Sequence, residues 1–122
     1  MYSIGEVAKL LNVTTHTLRF YEKEKIITPE RTENGDRRYS ESHLQWLGFV
    51  IKLKETKMPL AQIKEYASLF VQGDHTSQKR LGLLKNHQDH VQKQIQVLID
   101  IDDMLRKKIA TYEEHMQKRD IT

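Results

Sequence analysis

Hydrogen-bond donors and a cation lie close together near the start of the chain. Thr15, His16, Thr17 and Arg19 fall within one short segment that directly follows Thr14. Hydroxyl, imidazole and guanidinium groups donate hydrogen bonds to phosphate oxygens and to base edges. Threonine is a residue type that caps helix N termini, where free backbone N–H groups also favour anions. We therefore predict a helix whose first turns contact phosphate, with Arg19 and His16 also able to reach bases.

A second cationic group follows a turn signal. Arg37 and Arg38 come just after Asn34-Gly35, a dipeptide that favours a tight hairpin because both residues tolerate positive φ. We expect the apolar, β-branched segment 26–29 to form the first strand of this hairpin and Arg37 to open the return strand. We expect at least one of the two arginines to touch DNA. Tyr39 would either join them or close the core of the hairpin.

Two short helices are predicted to position the polar and basic residues 15–19. Ser3 and Glu6 form a capping box, and apolar residues at helical spacing follow it as far as Asn12. Only a tight turn separates this helix from the one that Thr14 caps, which is typical of a helix-turn-helix. In the second helix, Tyr21 either presents its hydroxyl to a phosphate or packs its ring in the core. With the hairpin beside it, the unit predicts a winged helix-turn-helix.

Two further helices should pack behind this unit. The first begins after the Ser40 cap and is expected to be largely buried. The second begins at Met58-Pro59, since proline is tolerated in a first turn, and it ends at Gly73-Asp74. Lys25 and Lys57 are further candidates for phosphate contact. The predicted core stripe of the second helix is Leu60, Ile63, Ala67, Phe70 and Val71.

The last third of the chain carries a heptad pattern from residue 76 to about residue 118. A lone helix of this length with an apolar stripe is unstable in water, so we expect it to pair with another helix as a coiled coil. We predict a mainly α fold, with a winged helix-turn-helix DNA-binding domain in residues 1–74 and a coiled-coil dimerisation helix in 75–122. The predicted dimer contacts are Leu84, Val91, Ile95, Leu98, Leu105, Ile109 and Tyr112.

Composition excludes several classes of site. The 122 residues include 20 Lys and Arg against 17 acidic residues, so the net charge of +3 is too small to prove nucleic-acid binding by itself. There is no cysteine, which excludes disulfides and thiolate metal sites. His87 and His90 lack an evident third ligand, so we expect no metal and no cofactor. No enzyme motif, signal peptide or membrane-spanning segment is visible, and a cytoplasmic protein is expected.

Four segments of the chain carry a specific family resemblance, namely residues 2–8 (YSIGEVA), 17–22 (TLRFYE), 35–40 (GDRRYS) and 58–63 (MPLAQI). With these segments in this order, the chain resembles the MerR family of bacterial transcription regulators over its whole length. Two departures are Phe20, where many members carry tyrosine, and Lys57, where glycine is usual. The segment after the coiled coil is also too short for the separate ligand-binding domain of longer members.

The resemblance implies a homodimer joined by an antiparallel coiled coil, with each helix-and-wing unit in successive major grooves of a palindromic promoter. Family members bend and untwist double-stranded promoter DNA so that RNA polymerase can use it, and the expected role is that of an activator or a dual regulator. A small hydrophobic or electrophilic inducer, held without a covalent bond, is a further hypothesis. It rests only on an aromatic cluster whose residues are more often plain core, namely Trp46, Phe49, Tyr66 and Phe70.

Two alternatives remain at this stage. One is an architectural winged-helix protein similar to a phage excisionase, although such proteins usually lack a long dimerising helix. The other is an adaptor whose coiled coil binds proteins and which binds no DNA. The adaptor predicts that Arg19, Arg37 and Arg38 are dispensable.

Overall fold

The computed structural model describes the backbone of residues 1–121 and the side chains of residues 1–119. It confirms a mainly helical chain with a small sheet and a long C-terminal helix. A single 3₁₀ turn, Asp74–Thr76, precedes that last helix. In chain order the elements are β1 (Tyr2–Ser3), α1 (Ile4–Leu11), α2 (Thr15–Lys23), β2 (Glu30–Arg31), β3 (Arg37–Tyr39), α3 (Glu41–Glu55), α4 (Leu60–Gln72) and α5 (Ser77–Ile121).

The first two helices begin and end as their sequences predict. The Ser3 hydroxyl accepts a hydrogen bond from the Glu6 backbone N–H at 3.2 Å, and the Glu6 carboxylate accepts one from the Ser3 N–H at 2.9 Å. Asn12 ends α1 in the left-handed region, with φ 54°. Thr14 then caps α2 by accepting from the Thr17 N–H at 3.0 Å. Both caps satisfy backbone donors that a helix leaves free, and together they fix the short turn between the helices.

The wing is a three-stranded antiparallel sheet in the order β1-β3-β2. Tyr2 pairs with Tyr39 on one side of β3, and Glu30 pairs with Arg38 on the other. The N-terminal strand β1 was absent from the sequence prediction, because two residues are too few to show an alternating pattern. The prediction of the first hairpin strand in residues 26–29 was wrong. Ile26 and Ile27 are buried in the core, and the strand follows them at β2.

The turn of the wing contains three residues rather than two. The Thr32 N–H donates to the Asp36 carbonyl at 2.9 Å, and the Gly35 N–H donates to the Thr32 carbonyl at 2.9 Å. Gly35 has φ +85°, whereas Asn34 is outside the positive-φ region. This geometry is that of a turn followed by one residue in the left-handed region. Gly35 is therefore the only residue of the turn that needs a positive φ.

One hydrophobic core joins the wing to helices α1 to α4. Its buried residues begin at Val7 and end at Ile63, and only one face of α3 contributes to it. Phe70 and Val71, expected in the core, are 60% and 85% exposed. The C-terminal part of α4 extends past this core, so Phe70 stacks on a neighbouring ring instead. Leu69, which is outside the predicted core stripe, is buried in that part of the helix.

The chain divides into two compact units, one of residues 1–84 and a second beginning at Lys85. Leu83 still packs against the core of the first unit. In the second unit the heptad side chains from Ile95 onward are exposed, for example Leu98 at 65% and Tyr112 at 62%, whereas Val91 is half-buried. Over the described residues, no helix is both long and apolar enough to cross a membrane.

Candidate nucleic-acid interface

The exposed polar face of α2 contains two side chains that are free to reach a ligand. The Arg19 guanidinium donates to the Thr15 hydroxyl at 3.2 Å, which holds both side chains along the same face of the helix. His16 is exposed beside them. The Thr17 hydroxyl lies 2.9 Å from that of Thr14 and is therefore part of the cap. Arg19 and His16 are thus the accessible groups, whereas the Thr15 hydroxyl accepts from Arg19 and the Thr17 hydroxyl lies at the cap. Contact of either threonine with DNA stays a prediction.

Arg19 and the wing arginines line one shallow depression of about 320 Å³. The start of α1 closes one side of it and the tip of the wing closes another. Three guanidinium groups at the wall of one depression make a surface that suits phosphate, because guanidinium pairs with phosphate oxygens through two parallel hydrogen bonds. The lining residues are Ser3, Ile4, Arg19, Gly35, Asp36, Arg37 and Arg38.

Glu22 joins α2 to the wing, a role that its position in the sequence does not indicate. One carboxylate oxygen accepts from Arg37 Nε at 2.5 Å and the other accepts from an Arg31 Nη at 2.5 Å. Arg31 also donates to the Gly35 carbonyl at 3.2 Å. Burial opposes ionisation of Glu22, but the hydrogen bonds and charges of Arg37 and Arg31 outweigh it and lower its pKa. The carboxylate is therefore ionised near neutral pH and fixes the wing against α2.

The two wing arginines differ in their availability. The Arg37 side chain is 26% exposed and paired with Glu22. Arg38 is half-buried and forms no ion pair within the part of the chain that the structure describes. Its charge instead contributes to the lowered pKa of Glu6, after the hydrogen bonds from Ser3. Arg19 and Arg38 are thus the two cations of the depression that have no carboxylate partner there.

Two tyrosines proposed as DNA contacts lie in the core. Tyr21 is 5% exposed and Tyr39 is 0% exposed, and burial raises the pKa of each phenol. Within the described residues the Tyr39 hydroxyl has no hydrogen-bond partner. Both rings therefore take the core alternative, and the Tyr39 hydroxyl is buried with its ring. A phosphate contact by the Tyr21 hydroxyl stays a prediction.

Lys57 lies apart from the depression, in the turn between α3 and α4. Its backbone is left-handed, with φ 71°, which accounts for the glycine usual at this place in the family. Its side chain is exposed. A phosphate contact by Lys57 stays a prediction, and it would require DNA to extend beyond the surface formed by α2 and the wing.

Comparison with known proteins places this geometry in a family. The model of the MerR HTH family regulatory proteins matches residues 2–69, and the MerR DNA-binding model matches residues 44–108. An uncharacterized HTH-type transcriptional regulator of Haemophilus influenzae is 37% identical over 114 residues, covering 93% of this chain and 84% of its own. ZntR of Escherichia coli is 36% identical over 109 residues, covering 88% and 77%.

Solved structures agree with the sequence matches. HiNmlR, a MerR family regulator lacking the sensor domain, was solved bound to promoter DNA. It matches with a TM-score of 0.85 and 37% identity, over 93% of this chain and 90% of that one. A MerR family regulator from Listeria monocytogenes matches with a TM-score of 0.90 and 28% identity, over 95% and 89%. The chain therefore belongs to the MerR family, and it is a DNA-binding transcriptional regulator.

Proposed function

We propose that the chain binds a palindromic promoter element as a homodimer and controls transcription by distorting the DNA. Arg19 and His16 read the major groove from α2, while Arg38 and Arg37 contact the adjoining phosphates from the wing. The observation that carries this assignment is the depression that collects Arg19, Arg37 and Arg38 at the junction of α2 and the wing. HiNmlR, which shares the fold at 37% identity, was solved on promoter DNA.

The proposal divides the chain by role. Residues 1–74 bind DNA, and residues 75–122 pair with the same segment of a second copy in an antiparallel coiled coil. Support for the pairing comes from the exposed apolar heptad positions of α5, among them Leu98, Leu105 and Ile109, each at least half exposed. Burying such side chains against a partner stabilises the pair by roughly 25 cal/mol per Å² of apolar surface. RNA polymerase is the expected further partner, in the cytoplasm.

The proposed distortion of the DNA follows from the fixed separation of the two DNA-binding units in the dimer. The Glu22 ion pairs hold the wing and α2 of each protomer as one body. A dimer whose two DNA-binding units are held at a fixed separation binds best to DNA with half-sites at that separation. DNA with a different half-site separation must bend or untwist to bind. Recognition through the energy of DNA deformation suits an activator that makes a promoter with an over-long spacer usable by RNA polymerase.

The test is fluorescence-anisotropy binding to the intergenic DNA upstream of the coding sequence, across a series of salt concentrations, with an unrelated duplex of equal length. Arg19→Ala is expected to weaken specific binding by roughly 1–3 kcal/mol. Lys79→Ala, which removes an exposed cation from α5, is the matched control and should leave affinity unchanged. Equal binding to both duplexes that ignores Arg19 would favour an architectural protein, and no binding would favour the adaptor.

A further inference from the structure

The middle of α5 exposes more apolar surface than a simple heptad seam requires. The seam combines residues that recur every seven positions, such as Leu98 and Leu105, with residues four positions later, such as Ile95. On either side of this seam, Ile99 is 54% exposed and Ile101 is 42% exposed. Positions that flank the seam of a coiled coil are usually charged or polar. These two isoleucines therefore need apolar partners of their own.

Asp102 indicates the direction in which two copies of α5 would pair. It occupies a seam position and forms an ion pair at 3.0 Å with Arg106 of the same helix. In a parallel pair, each seam residue meets its own copy, so the two Asp102 carboxylates would repel each other. In an antiparallel pair, the two classes of seam position face each other, and Asp102 meets a leucine instead. The antiparallel direction is therefore favoured.

The positions of Ile99 and Ile101 select one antiparallel register. When the two-fold axis passes beside Asp100, Ile99 lies against the partner's Ile99 and Ile101 lies against the partner's Ile101. One such pair then covers each side of the seam. Seam residues at equal distances from residue 100 face each other across the pair. The central seam pairs are Leu98 with Asp102, Ile95 with Leu105 and Val91 with Ile109.

A slip of one heptad in either direction would remove the isoleucine pairs. In one direction each isoleucine would face a glutamine of the partner, and in the other it would face a cation. Seam residues at one end of the helix would also lose their partners. Both changes reduce the apolar surface that pairing buries, so the slipped registers are less stable. The opposing polar residues are Gln92, Gln94, Arg106 and Lys108.

Charges near the ends of α5 agree with the same register. Lys85 and Glu113 are both exposed, and they flank the seam on the same side as Ile99. An axis beside Asp100 places Lys85 against the partner's Glu113, and the symmetry repeats this pair at the other end. In one of the slipped registers, Lys85 would face Arg106 instead. Opposite charges at flanking positions favour the partner and orientation that bring them together.

We propose that two copies of α5 pair antiparallel about an axis beside Asp100, with Ile99 and Ile101 each packed against its own copy. This register rests on the dimer of the proposed function and adds which residues meet within it. A slip of one heptad would move one helix along the other by about 10 Å, or about three base pairs of DNA. The isoleucine pairs therefore fix the half-site spacing that the dimer binds.

Cysteine cross-linking tests the register, because the chain has no cysteine of its own. Ile95→Cys protein is mixed with Leu105→Cys protein that carries a tag, and oxidation is followed on a non-reducing gel. The register predicts a disulfide between the two chains, since facing seam positions come within disulfide reach. Mixtures of Ile95→Cys with Leu98→Cys or Tyr112→Cys, its partners in the two slipped registers, should yield at least about tenfold less.

Each other cross-linking pattern overturns the proposal in its own way. Preferred cross-linking of Ile95→Cys with Leu98→Cys or Tyr112→Cys would establish a slipped register and leave the dimer intact. Cross-linking of Ile95→Cys with itself would establish a parallel pair. No cross-link in any mixture, from a protein that sediments as a dimer, would place the interface elsewhere. A wild type that sediments as a monomer contradicts the dimer of the proposed function as well.

Charge reversal gives a second readout that needs no cysteine. Lys85→Glu should weaken the dimer by about threefold in sedimentation equilibrium, because two repulsive pairs replace two attractive ones. Adding Glu113→Lys to that variant should restore the wild-type dissociation constant, whereas adding Glu114→Lys, at an outward position, should not. Failure of Glu113→Lys to restore it would overturn the register. A tighter dimer in Lys85→Glu alone would indicate the slipped register in which Lys85 faces Arg106.

Discussion

The single residue Glu22 holds two arginines, one from each of the strands β2 and β3 of the wing. Its two oxygens are shared between Arg31 and Arg37, and its side chain is 23% exposed. Charged hydrogen bonds shielded in this way are stronger than surface ion pairs, which are often worth almost nothing. The wing is consequently fixed to α2 by an interaction that depends on one ionised carboxylate.

Glu22→Gln should lower the free energy of unfolding by about 1–2 kcal/mol at neutral pH, because two guanidinium groups lose a charged partner. The folded protein lowers the Glu22 pKa below its ordinary value of 4.5. Its contribution is therefore fully present above that value and is lost as the pH falls through the lowered pKa. Denaturant unfolding at several pH values measures the difference between wild type and variant, which should shrink in acid.

Glu33→Gln is the matched control for this variant, since Glu33 is exposed on the wing without an ion pair among the described residues. It should change stability little at any pH. A Glu22→Gln protein as stable as the wild type at neutral pH would mean that the ion pairs contribute nothing.

Tyr39→Phe tests whether the buried phenol contacts DNA. The hydroxyl is buried without a partner among the described residues, so its removal should keep stability or raise it by up to about 1 kcal/mol. DNA affinity should remain that of the wild type. Thermal unfolding and anisotropy titration measure the two quantities. A clear loss of affinity with unchanged stability would return Tyr39 to the interface.

At the scale of the element, the wing depends on one glycine. Gly35 has φ +85°, and an added Cβ would meet no atom within 4 Å, so backbone strain alone opposes a substitution there. Gly35→Ala should destabilise the protein by about 1–2 kcal/mol. Denaturant unfolding gives the value, and a weaker affinity for promoter DNA should accompany it.

Gly82→Ala is the comparison for that variant. Gly82 lies within α5, and an added Cβ would again meet nothing within 4 Å. Alanine should therefore stabilise the helix by about 0.5–1 kcal/mol. Effects of the same sign at both glycines would contradict a role for the left-handed backbone at Gly35.

Capped and periodic elements could be predicted from sequence, whereas contacts between elements could not. Ser3, Thr14 and Ser40 each mark a helix start within one residue, because a cap is a local hydrogen bond. Phe70 has the correct spacing for the core, yet the place where a core ends depends on neighbouring elements. Glu22 resembles any solvated acid in sequence, and only the position of the wing reveals its partners.

The same limit applies to the DNA contacts. Arg19, Arg37 and Arg38 line one depression because the hairpin directly follows α2, and their contact with DNA stays a prediction. Tyr21 and Tyr39 follow the same cationic segments in sequence but point into the core. An aromatic side chain beside arginines suits both locations, so sequence alone left them open.

At the scale of the whole molecule, the exposed heptad face of α5 predicts a dimer. Leu98→Glu places a charge at the centre of the predicted seam and should convert a dimer into a monomer with lower helicity. Sedimentation equilibrium and circular dichroism measure these changes. Lys93→Glu, at the outermost heptad position, should remain dimeric. A wild-type protein that is monomeric at micromolar concentration and fully helical would contradict the coiled coil.

The ion pairs of Glu22 also determine how DNA binding exchanges counterions. Each phosphate that a free cation neutralises releases about 0.9 of a condensed counterion, and an arginine already paired with a carboxylate contributes less. Removing the carboxylate frees Arg31 and Arg37 to neutralise phosphates and displace condensed counterions on any duplex. Glu22→Gln should thus bind random DNA more tightly and with steeper ionic-strength dependence, while discriminating less well for its operator. We infer that the Glu22 carboxylate limits non-specific electrostatic attraction to DNA, so that DNA shape and base edges determine which site is bound.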